Sequence, residues 1–544
     1  MYIGDYLGRR AIYSPDKVAI VDAGKAPAWR LSYAQLNERA NKLAHWLRHA
    51  AAIQPGDRVA ILARDGVEHL DCFFACGKLG AIHTALNWRL HWQELAGILA
   101  NTTPRVLIYS DDFREAVEQI RTHGLWPVSS PSHDEHGQAR TERSRSETGS
   151  INPLPGAAAL THFLHLDGPG VPGSLLFEAT LQASANTPIV NEQVQAEDVV
   201  ALIFTGGTTG LPKGAQVTHR MIAWNSLNTI IHDLHHDDTY LNVFPLFHTG
   251  GLFVYTLPNV ILGGTTILVR QFDPVQVLNL IEQEQVTVFA GVPTMYQTLT
   301  TASNWSTANL SSLRFCTSGG APLPVPLVEQ YTHEKNIRFK QGFGMTEFGP
   351  GIFALAPEDA IRKAGSIGRP NFYVDARIVD ADNQPLGPDQ VGELVLKGPS
   401  LSSGYFNNPS ASAEAIDAEG WFHTGDLARH DEGWYFTIVD RKKDMFISGG
   451  ENVYPAEIEA VLYQHPAVQM CAVIGLPDVK WGEVGLACVV LKKDAAATPD
   501  ELLSHLQTRL ARYKVPRQVV ILESLPISAA GKILKRELRD QFTD

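Results

Sequence analysis

Residues 204–214 read FTGGTTGLPKG, a stretch that combines four glycines, three threonines and one lysine. Glycine lets backbone N–H groups approach a phosphate closely, threonine hydroxyls donate hydrogen bonds, and Lys213 offsets part of the negative charge. The apolar run at residues 199–204 predicts a buried strand, and the pattern further on predicts a helix that begins near Thr218. The stretch is therefore predicted to be a phosphate-binding loop that follows a strand.

Two common nucleotide-binding loops do not match this stretch. A Walker A loop requires Ser or Thr directly after its lysine, whereas Pro212 precedes Lys213 and Gly214 follows it. The G-x-G-x-x-G pattern of dinucleotide-binding folds is completed neither here nor at residues 342–347. Taken alone, the stretch could also be a surface turn rich in Gly and Thr.

The length and charge of the chain narrow the class of protein. With 544 residues and 44% hydrophobic content, the chain exceeds the size at which a single core usually stops growing, so two or more domains are predicted. A formal net charge of −13 argues against general affinity for nucleic acid or anionic membranes and favours small-molecule partners. Five scattered cysteines without a preceding secretory signal favour a cytoplasmic location.

Three segments have a second interpretation. Cys72 and Cys76 lie four residues apart on a predicted helix, and we interpret them as core residues rather than metal ligands. Histidines and aspartates at residues 232–238 could chelate a cation, but a solvated polar turn is favoured. Residues 250–269 carry no charge, yet Pro and Gly interrupt them, so a buried helix and a buried strand are predicted instead of a membrane span.

Strand-like runs alternate with helical patterns and predict an α/β fold. Examples are the strands at residues 59–62, 106–109 and 286–289 and the helix at 33–49, which together favour mostly parallel sheets covered by helices. Residues 129–152 are polar and aperiodic, so we predict a flexible surface insertion there, with docking of a partner as the alternative.

The later part of the chain is predicted to divide into two regions. A β-rich subdomain extends from about residue 392 to 440, and the last hundred residues form a small α/β unit. The charged residues 440–444 separate the two, so the predicted domains are 1–440 and a mobile C-terminal domain at 441–544.

Two further glycine-punctuated segments are predicted to be loops after strands. They read GGAP at residues 319–322 and GFGMTE at 342–347. Glycine permits close approach of a flat base, and Phe343 offers a ring for stacking. Together they predict an adenine slot.

The chain resembles the AMP-forming adenylating superfamily, which includes acyl-CoA synthetases, luciferases and adenylation domains of peptide synthetases. The resemblance rests on the segments above, on GWFHTGD at 420–426, on SGGEN at 448–452 and on PISAAGK at 526–532. Four positions depart from the usual family pattern. Gly206 stands where many members have serine, Phe343 where tyrosine is common, and Ile527 with Ser528 where arginine and threonine are usual.

The resemblance implies a set of nucleotide-binding residues. Phosphate contacts are implied for Thr205, Gly206, Gly207, Thr208, Thr209, Gly210 and Lys213, and adenine contacts for Gly319, Gly320, Ala321, Pro322, Gly342, Phe343 and Gly344. Thr346 is expected on the phosphate and acyl oxygens, and Glu347 on Mg²⁺. Asp426, which is predicted to end a strand-like run, is expected on the ribose hydroxyls, with Arg441 as a second sugar contact. Taken singly, Glu347 could cap a helix start, and Asp426 and Arg441 could be surface ion pairs.

The remaining implied roles concern catalysis and the thiol. Lys532 is the implied catalytic lysine, Lys443 the hinge, and Ser448, Gly449 and Gly450 the pantetheine-side loop. Lys535 and Arg536 are interpreted as surface charges. His248 stands where amino-acid-activating relatives carry an aspartate, which disfavours an amino acid substrate, although a lone histidine there could be a core residue.

The function implied by the resemblance is ATP- and Mg²⁺-dependent formation of an acyl-adenylate, followed by transfer to coenzyme A. The implied acyl-pocket segments at 249–255, 318–320 and 348–352 carry no charged residue, so a fatty or aromatic monocarboxylic acid is expected. An acyl-AMP ligase serving a separate carrier protein and a catalytically idle nucleotide-binding regulator are the alternatives. A homodimer is left open as the assembly.

Overall fold

The computed structural model describes residues 4–123, 160–205, 212–493, 495–527 and 533–543. The predicted insertion at 129–152 and the loop residues 206–210 lie outside these ranges, as does Lys532. The chain divides into two compact units. The first comprises residues 1–360, 370–374 and 398–414, and the second comprises residues 361–369, 375–397 and 415–544.

The elements up to residue 360 alternate between strands and helices. The first group is α1 (Tyr6–Tyr13), β1 (Val18–Asp22), β2 (Trp29–Ser32), α2 (Tyr33–His49), β3 (Arg58–Leu62), α3 (Val67–Leu79), β4 (Ile82–Ala85), α4 (Trp92–Thr102), β5 (Val106–Tyr109), α5 (Arg114–His123), β6 (His162–His165), β7 (Leu175–Leu176) and α6 (Phe177–Gln182). The second group is β8 (Val199–Thr205), β9 (Lys213–Thr218), α7 (His219–Ile230), β10 (Thr239–Asn242), α8 (Thr249–Phe253), α9 (Thr256–Leu262), β11 (Thr265–Leu268), α10 (Pro274–Gln283), β12 (Val288–Gly291), α11 (Pro293–Thr300), β13 (Phe315–Gly319), α12 (Val325–Lys335), β14 (Phe339–Met345) and β15 (Gly349–Leu355).

Strands dominate the chain after residue 360 until helices return near the end. The elements are β16 (Arg369–Pro370), β17 (Asp375–Val379), β18 (Gly392–Lys397), α13 (Pro409–Ala415), β19 (Phe422–His430), β20 (Phe436–Arg441), β21 (Phe446–Ser448), β22 (Glu451–Val453), α14 (Pro455–Leu462), β23 (Val468–Asp478), β24 (Gly482–Leu491), α15 (Pro499–Gln507), β25 (Gln518–Ile521) and α16 (Lys535–Phe542).

The first unit is built on two mostly parallel sheets, as the alternating pattern predicts. One has the strand order β16-β15-β14-β13-β12-β10-β11-β1-β2, and the other has the order β7-β6-β5-β3-β4-β8-β9. In the second of these sheets the β8–β9 pair is antiparallel and the other pairs are parallel. One core cluster contains Ile20 and Leu268 from the first sheet and Ala201 and Val217 from the second, so helices and both sheets share a hydrophobic core.

The second unit contains an antiparallel sheet in the order β17-β18-β19-β20 and a sheet of β22, β21, β24, β23 and β25. Successive residues of β23 face opposite sides, as the period of a strand requires. Val473 packs with Leu462 of α14 and Leu506 of α15, whereas Ile474 packs with Leu538 of α16. This arrangement confirms the predicted α/β class and the small α/β region near the end of the chain.

Several local predictions hold to the residue. The α2 helix spans the predicted 33–49, and a capping box between Ser32 and Gln35 fixes its first turn. The α7 helix begins after Thr218, whose side chain accepts a hydrogen bond from the Met221 amide. Residues 250–269 form α8, α9 and β11, and no helix in the described ranges is long and apolar enough to cross a membrane.

Two predictions about glycine-rich and acidic segments were wrong. Residues 342–345 lie within β14 and pair with β15 instead of forming a loop. The strand can approach its neighbour closely because Gly344 has no side chain. A Cβ on Gly344 would lie only 2.3 Å from the Cα atom of Pro350. Asp426 lies in the middle of β19 rather than at the end of a strand.

Candidate active site

The predicted phosphate loop connects two antiparallel strands. Thr205, the last residue of β8, is opposite Lys213, the first residue of β9. The Thr205 hydroxyl donates a 3.3 Å hydrogen bond to the backbone oxygen of Lys213. The sequence predicted the strand before the loop but not the strand after it, which pairs with the first in antiparallel fashion.

Tyr405 contacts a residue of the predicted phosphate site and a residue of the predicted magnesium site. The segment around it lies along β9, because Phe406 N donates to the oxygen of Gly214 at 2.8 Å. The Nζ atom of Lys213 lies 5.1 Å from the centre of the Tyr405 ring, and the Tyr405 hydroxyl donates to Oε1 of Glu347 at 2.8 Å. Residues far apart in sequence thus form one cluster of a cation, an aromatic ring and a carboxylate.

The Tyr405 hydroxyl stays protonated, which suits a donor to a metal-binding carboxylate. Burial and the neighbouring Glu347 carboxylate raise the pKa of Tyr405 well above its usual range, so its hydroxyl remains a donor and Glu347 remains an acceptor. Mg²⁺ is bound through one or two carboxylates together with phosphate oxygens. Glu347 fits this requirement, since the Tyr405 hydroxyl donates to one of its oxygens and so orients the carboxylate. Glu347 lies in a turn between β14 and β15, which rules out the helix-capping alternative.

The two predicted adenine-binding segments lie side by side. Gly319 of β13 is opposite Gly342 of β14 in a parallel pair. Gly320 has a φ of +80°, which glycine adopts without strain, and it is exposed together with Ala321 and Pro322. In open α/β sheets, ligands bind at the carboxyl ends of the strands, and both segments are at such ends.

Phe343 lies on β14, and Thr346 follows directly after the end of that strand. The Phe343 ring is half-buried and meets Phe353 edge-on at 5.7 Å, which holds it in place for stacking. Thr346 is buried directly before Glu347.

His248 lies at the start of α8 rather than in the core. Its Nδ1 atom accepts a 3.1 Å hydrogen bond from the Gly250 amide. In the neutral imidazole the proton is therefore on Nε2, which makes that nitrogen a donor. The side chain is partly exposed, so the core-residue alternative does not hold.

The three predicted acyl-pocket segments are held together by side chains of the same unit. Asn225 of α7 donates to the oxygen of Phe253 at 2.8 Å and accepts from the Gly351 amide at 3.0 Å, which links α8 to β15. The Tyr255 and Thr317 hydroxyls are 2.7 Å apart, which links the region after α8 to the end of β13. The hydrogen bonds that connect these segments are all between neutral groups.

In the second unit, Asp426 and Arg441 are cross-strand neighbours. They are opposite each other on β19 and β20, and Nε of Arg441 lies 3.5 Å from Oδ1 of Asp426. Asp426 is 7% exposed, whereas Gly425 before it has a φ of +71° and open space where a Cβ would be. A buried carboxylate beside an accessible backbone position matches the geometry expected for two sugar hydroxyls.

Residues 441–445 form a tight turn between β20 and β21. The amides of Asp444 and Met445 both donate to the oxygen of Arg441, and the Lys442 amide donates to the oxygen of Gly425. Asp440, buried before the turn, accepts from the Ala456 amide at 2.9 Å. Within the described ranges, the Lys443 amide donates no hydrogen bond, unlike the amides of Lys442 and Asp444 on either side of it.

Ser448, Gly449 and Gly450 form the turn between β21 and β22. Gly449 and Gly450 have φ values of +62° and +89°, which glycine adopts without strain. A Cβ on Gly449 would also lie 2.9 Å from the ring of Trp481. The turn therefore requires glycine, and an exposed indole lies beside it.

Among the other residues singled out in the sequence, Lys535 has a different role from the one predicted. Lys535 is not a surface charge, because it lies 2.8 Å from the buried Glu459 carboxylate and is largely buried itself, while Arg536 is exposed as predicted. Asp233 and Asp238 pair with Arg314, and no cluster of three or more His, Cys, Asp or Glu residues in the described ranges could hold a metal ion.

All five cysteines are buried and carry free thiols. Burial raises the pKa of Cys316 to about 12 and that of Cys488 to about 11. Cys72 lies 3.3 Å from Nδ1 of His83, and burial raises its pKa as well. These cysteines are core residues, as the sequence predicted for the pair at 72 and 76.

Known proteins similar to this chain share its architecture from end to end. A family model described as AMP-binding enzyme matches residues 7–406, and one described as AMP-binding enzyme C-terminal domain matches residues 457–532. A feruloyl-CoA synthase from Amycolatopsis sp. is 40% identical over 541 residues, which is 99% of both chains.

Solved structures agree with this match. ATP-bound MatB from Rhodopseudomonas palustris is 28% identical with a TM-score of 0.85 and covers 99% of both chains. The o-succinylbenzoate-CoA synthetase from Bacillus subtilis, in complex with its acyl-adenylate intermediate, is 29% identical with a TM-score of 0.81 and covers 99% of this chain and 98% of its own.

Proposed function

Because this chain belongs to the AMP-binding enzyme family, as an AMP-forming acyl-CoA synthetase, we propose that it activates an apolar monocarboxylic acid with ATP and transfers the acyl group to coenzyme A. In the first half-reaction a carboxylate oxygen attacks the α-phosphorus, and the bond to the β-phosphate oxygen breaks. The acyl-adenylate forms and pyrophosphate leaves. In the second, the CoA sulfur attacks the acyl carbon, the bond to the AMP oxygen breaks, and the thiol proton is released.

The observation that carries this proposal is the cluster of Lys213, Tyr405 and Glu347. A triphosphate needs positive charge near its oxygens, and Lys213 supplies one such charge at the end of the predicted phosphate loop. Mg²⁺, when bound, would neutralise phosphate charge and orient the leaving pyrophosphate. Glu347 would hold the ion, and Tyr405 orients Glu347 for that role.

The other nucleotide contacts are assigned residue by residue. Thr205 and residues 206–210 would bind the phosphates, residues 319–322 with 342–344 the adenine, and Thr346 the phosphate and acyl oxygens. Asp426 would accept both ribose hydroxyls, with Arg441 as the second sugar contact. Lys532 would stabilise the negative charge that develops on the phosphoryl oxygens during adenylation.

For the acid, we propose an aromatic monocarboxylate. The support is the 40% identity to a feruloyl-CoA synthase over almost the whole chain, together with walls that carry Phe253 and Tyr255 and no charged side chain. A planar ring suits such walls, because aromatic side chains favour edge-to-face and offset contacts. The Nε2–H of His248 would donate to a carboxylate oxygen of the acid.

The thiol step would use the turn at Ser448, Gly449 and Gly450. We assign the domains as 1–440 and 441–544, with the turn that contains Lys443 as the hinge. The C-terminal domain would rotate about this hinge between the two half-reactions. The support for a backbone rotation there is that the Lys443 amide donates no hydrogen bond in the described ranges. The free, buried cysteines support a cytoplasmic location. Homodimer formation stays a prediction.

The test is a panel of carboxylic acids scored by pyrophosphate release, with and without CoA. The panel contains ferulate, a phenylalkanoate without ring substituents, a long-chain fatty acid and an amino acid. We expect pyrophosphate release with an aromatic acid, and AMP with the acyl-CoA only when CoA is added. Pyrophosphate release with the fatty acid but with neither aromatic acid would contradict the aromatic assignment. Acyl-adenylate that accumulates unchanged in the presence of CoA would favour an acyl-AMP ligase that serves a carrier protein.

A further inference from the structure

A buried carboxylate connects the two sheets of the first unit at the His248 turn. Asp65 lies in the loop after β3 of one sheet, and Leu246 lies in the turn after β10 of the other. The Leu246 amide donates to Oδ1 of Asp65 at 2.7 Å. The Asp65 side chain, which follows a strand of one sheet, therefore holds the turn that ends in His248 and follows a strand of the other sheet.

The turn itself is compact, so a shift at Leu246 is passed to His248. The His248 amide donates to the oxygen of Pro245 at 3.1 Å, and the Gly251 amide donates to the oxygen of His248 at 3.1 Å. A Cβ on Gly251 would lie 2.3 Å from the oxygen of Pro245. Backbone contacts of this kind leave little freedom between Leu246 and the imidazole two residues later.

The residue between them is anchored to the same sheet as Asp65. Phe247 meets Trp88 edge-on at 6.3 Å, and Trp88 follows β4. The guanidinium carbons of Arg64 and Arg89 lie 4.9 and 4.7 Å from the centre of the Trp88 ring. The turn is therefore held at two consecutive residues by the neighbouring sheet.

The Asp65 carboxylate is costly to keep at this place. It is 7% exposed, and in the described ranges its hydrogen bond comes from the Leu246 amide. Arg64, Arg89 and Arg270 face it electrostatically, yet burial still raises its pKa to about 7. An apolar residue could fill a buried site at lower cost, which indicates that the carboxylate has a specific task.

We propose that Asp65 is a positioning residue that holds the His248 turn against the carboxyl end of β3 and so sets the place of the imidazole toward the acid substrate. The proposal rests on the proposed function only where it names the acid. We assign Asp65 no direct contact with the nucleotide or the acid. Its effect on turnover passes through Leu246.

The test compares variants that differ in the acceptor alone. Asp65→Leu removes the acceptor and the buried charge at similar volume, whereas Asp65→Asn keeps a carbonyl oxygen for the Leu246 amide. The control is Asp57→Ala at the opposite end of β3, where the carboxylate accepts from the Gln54 amide at 2.9 Å. Each variant is measured by hydrogen exchange of the peptide that spans residues 244–248 and by the KM values for acid and for ATP.

We expect Asp65→Leu to speed exchange at Leu246 by about tenfold or more and to raise the acid KM by about tenfold, with the ATP KM unchanged. Asp65→Asn should restore both values to within about threefold, and Asp57→Ala should change neither. Unchanged exchange in Asp65→Leu would overturn the proposal, as would faster exchange without any change in the acid KM. If Asp65→Leu does not fold, Asp65→Ser tests the same expectations at reduced volume. A wild-type protein that activates no acid contradicts the proposed function, and the exchange result still decides the role of Asp65.

Discussion

The Tyr405 hydroxyl donates to Oε1 of Glu347 across 2.8 Å, although 58 residues separate them in the sequence. The bond orients the carboxylate that we assign to Mg²⁺ while leaving the ring of Tyr405 against Lys213. Removing one hydroxyl therefore loosens the metal ligand without removing it.

The first prediction follows from this bond. Tyr405→Phe should raise the Mg²⁺ concentration for half-maximal pyrophosphate release by roughly tenfold, because a hydrogen bond to a charged group contributes about 1.5–3 kcal/mol. Tyr331→Phe is the matched control, since its buried hydroxyl donates to the oxygen of Tyr296 at 2.8 Å away from Glu347. A Mg²⁺ titration of both variants decides the matter. Equal Mg²⁺ requirements in the two would separate Tyr405 from the metal site.

A second prediction concerns the buried Asp426. Asp426→Ala should raise the KM for ATP by about ten- to a hundredfold, because two ribose hydroxyls lose a charged acceptor. Asp426→Asn keeps one carbonyl oxygen and should lie between the variant and the wild type. Calorimetric titration with a non-hydrolysable acyl-adenylate analogue gives the affinity directly. An affinity unchanged in Asp426→Ala would remove this residue from the sugar site.

Lys532 should act in one half-reaction only. Lys532→Ala should slow adenylate formation by at least about two orders of magnitude, a typical effect of losing one charge-stabilising donor. Thioester formation from supplied acyl-adenylate should persist, because no pyrophosphate charge develops in that step. Rapid-quench measurement of the two steps, with Lys535→Ala as a comparison in which a structural ion pair is lost, tests the assignment. Equal loss of both steps in Lys532→Ala would contradict it.

The hinge assignment predicts a selective defect. Proline fixes φ at about −65°, so Lys443→Pro should limit rotation of the turn and impair one half-reaction more than the other. The Lys443 amide has no acceptor in the described ranges, so the substitution removes no hydrogen bond seen there. Lys443→Ala keeps the backbone free and should behave as the wild type. Single-turnover pyrophosphate and acyl-CoA are measured in one experiment, and wild-type acyl-CoA formation by Lys443→Pro would show that no rotation at this residue is needed.

The last prediction concerns stability against pH. Burial raises the pKa of Asp65 to about 7 from an ordinary value near 4, so the folded protein binds more protons than the unfolded chain between these values. The stabilising contribution of protonated Asp65 is present below about pH 4 and is lost as the pH rises through about 7. The unfolding free energy of Asp65→Asn minus that of the wild type should therefore rise by at least about 1 kcal/mol from pH 5 to pH 8, as measured by urea titration. A difference that does not change with pH would mean that the carboxyl pKa is not raised.

The sequence predicted those parts of the fold that depend on local pattern. The α2 helix has an amphipathic period and a capping box, and β8 is a short apolar run, so both could be placed from neighbouring residues alone. Residues 342–345 were misassigned because glycine suggests a loop, whereas pairing with β15 and the close approach of Pro350 hold them in a strand. That contact joins two strands, and local propensity does not reveal it.

The parts of the candidate site that could be proposed from the sequence are those rich in glycine and charged residues. Lys213 and Asp426 were proposed because each is a charged residue beside a glycine, and Glu347 was proposed from the resemblance to a known family. Tyr405 and Asp65 were missed because each acts through a partner that only the strand order brings near, Glu347 in one case and Leu246 in the other. A tyrosine after glycine and an aspartate before glycine carry no pattern of their own.

The burial of the cysteines has a consequence for an enzyme that handles activated acyl groups. An acyl-adenylate and a thioester both react with thiolates, and the attacking species is the ionised sulfur. Cys316 and Cys488 are shielded from solvent, and their raised pKa values keep them protonated near neutral pH. The protein thus presents no competing sulfur from its five cysteines to its own intermediate, and the acyl group is reserved for the thiol that arrives from solution.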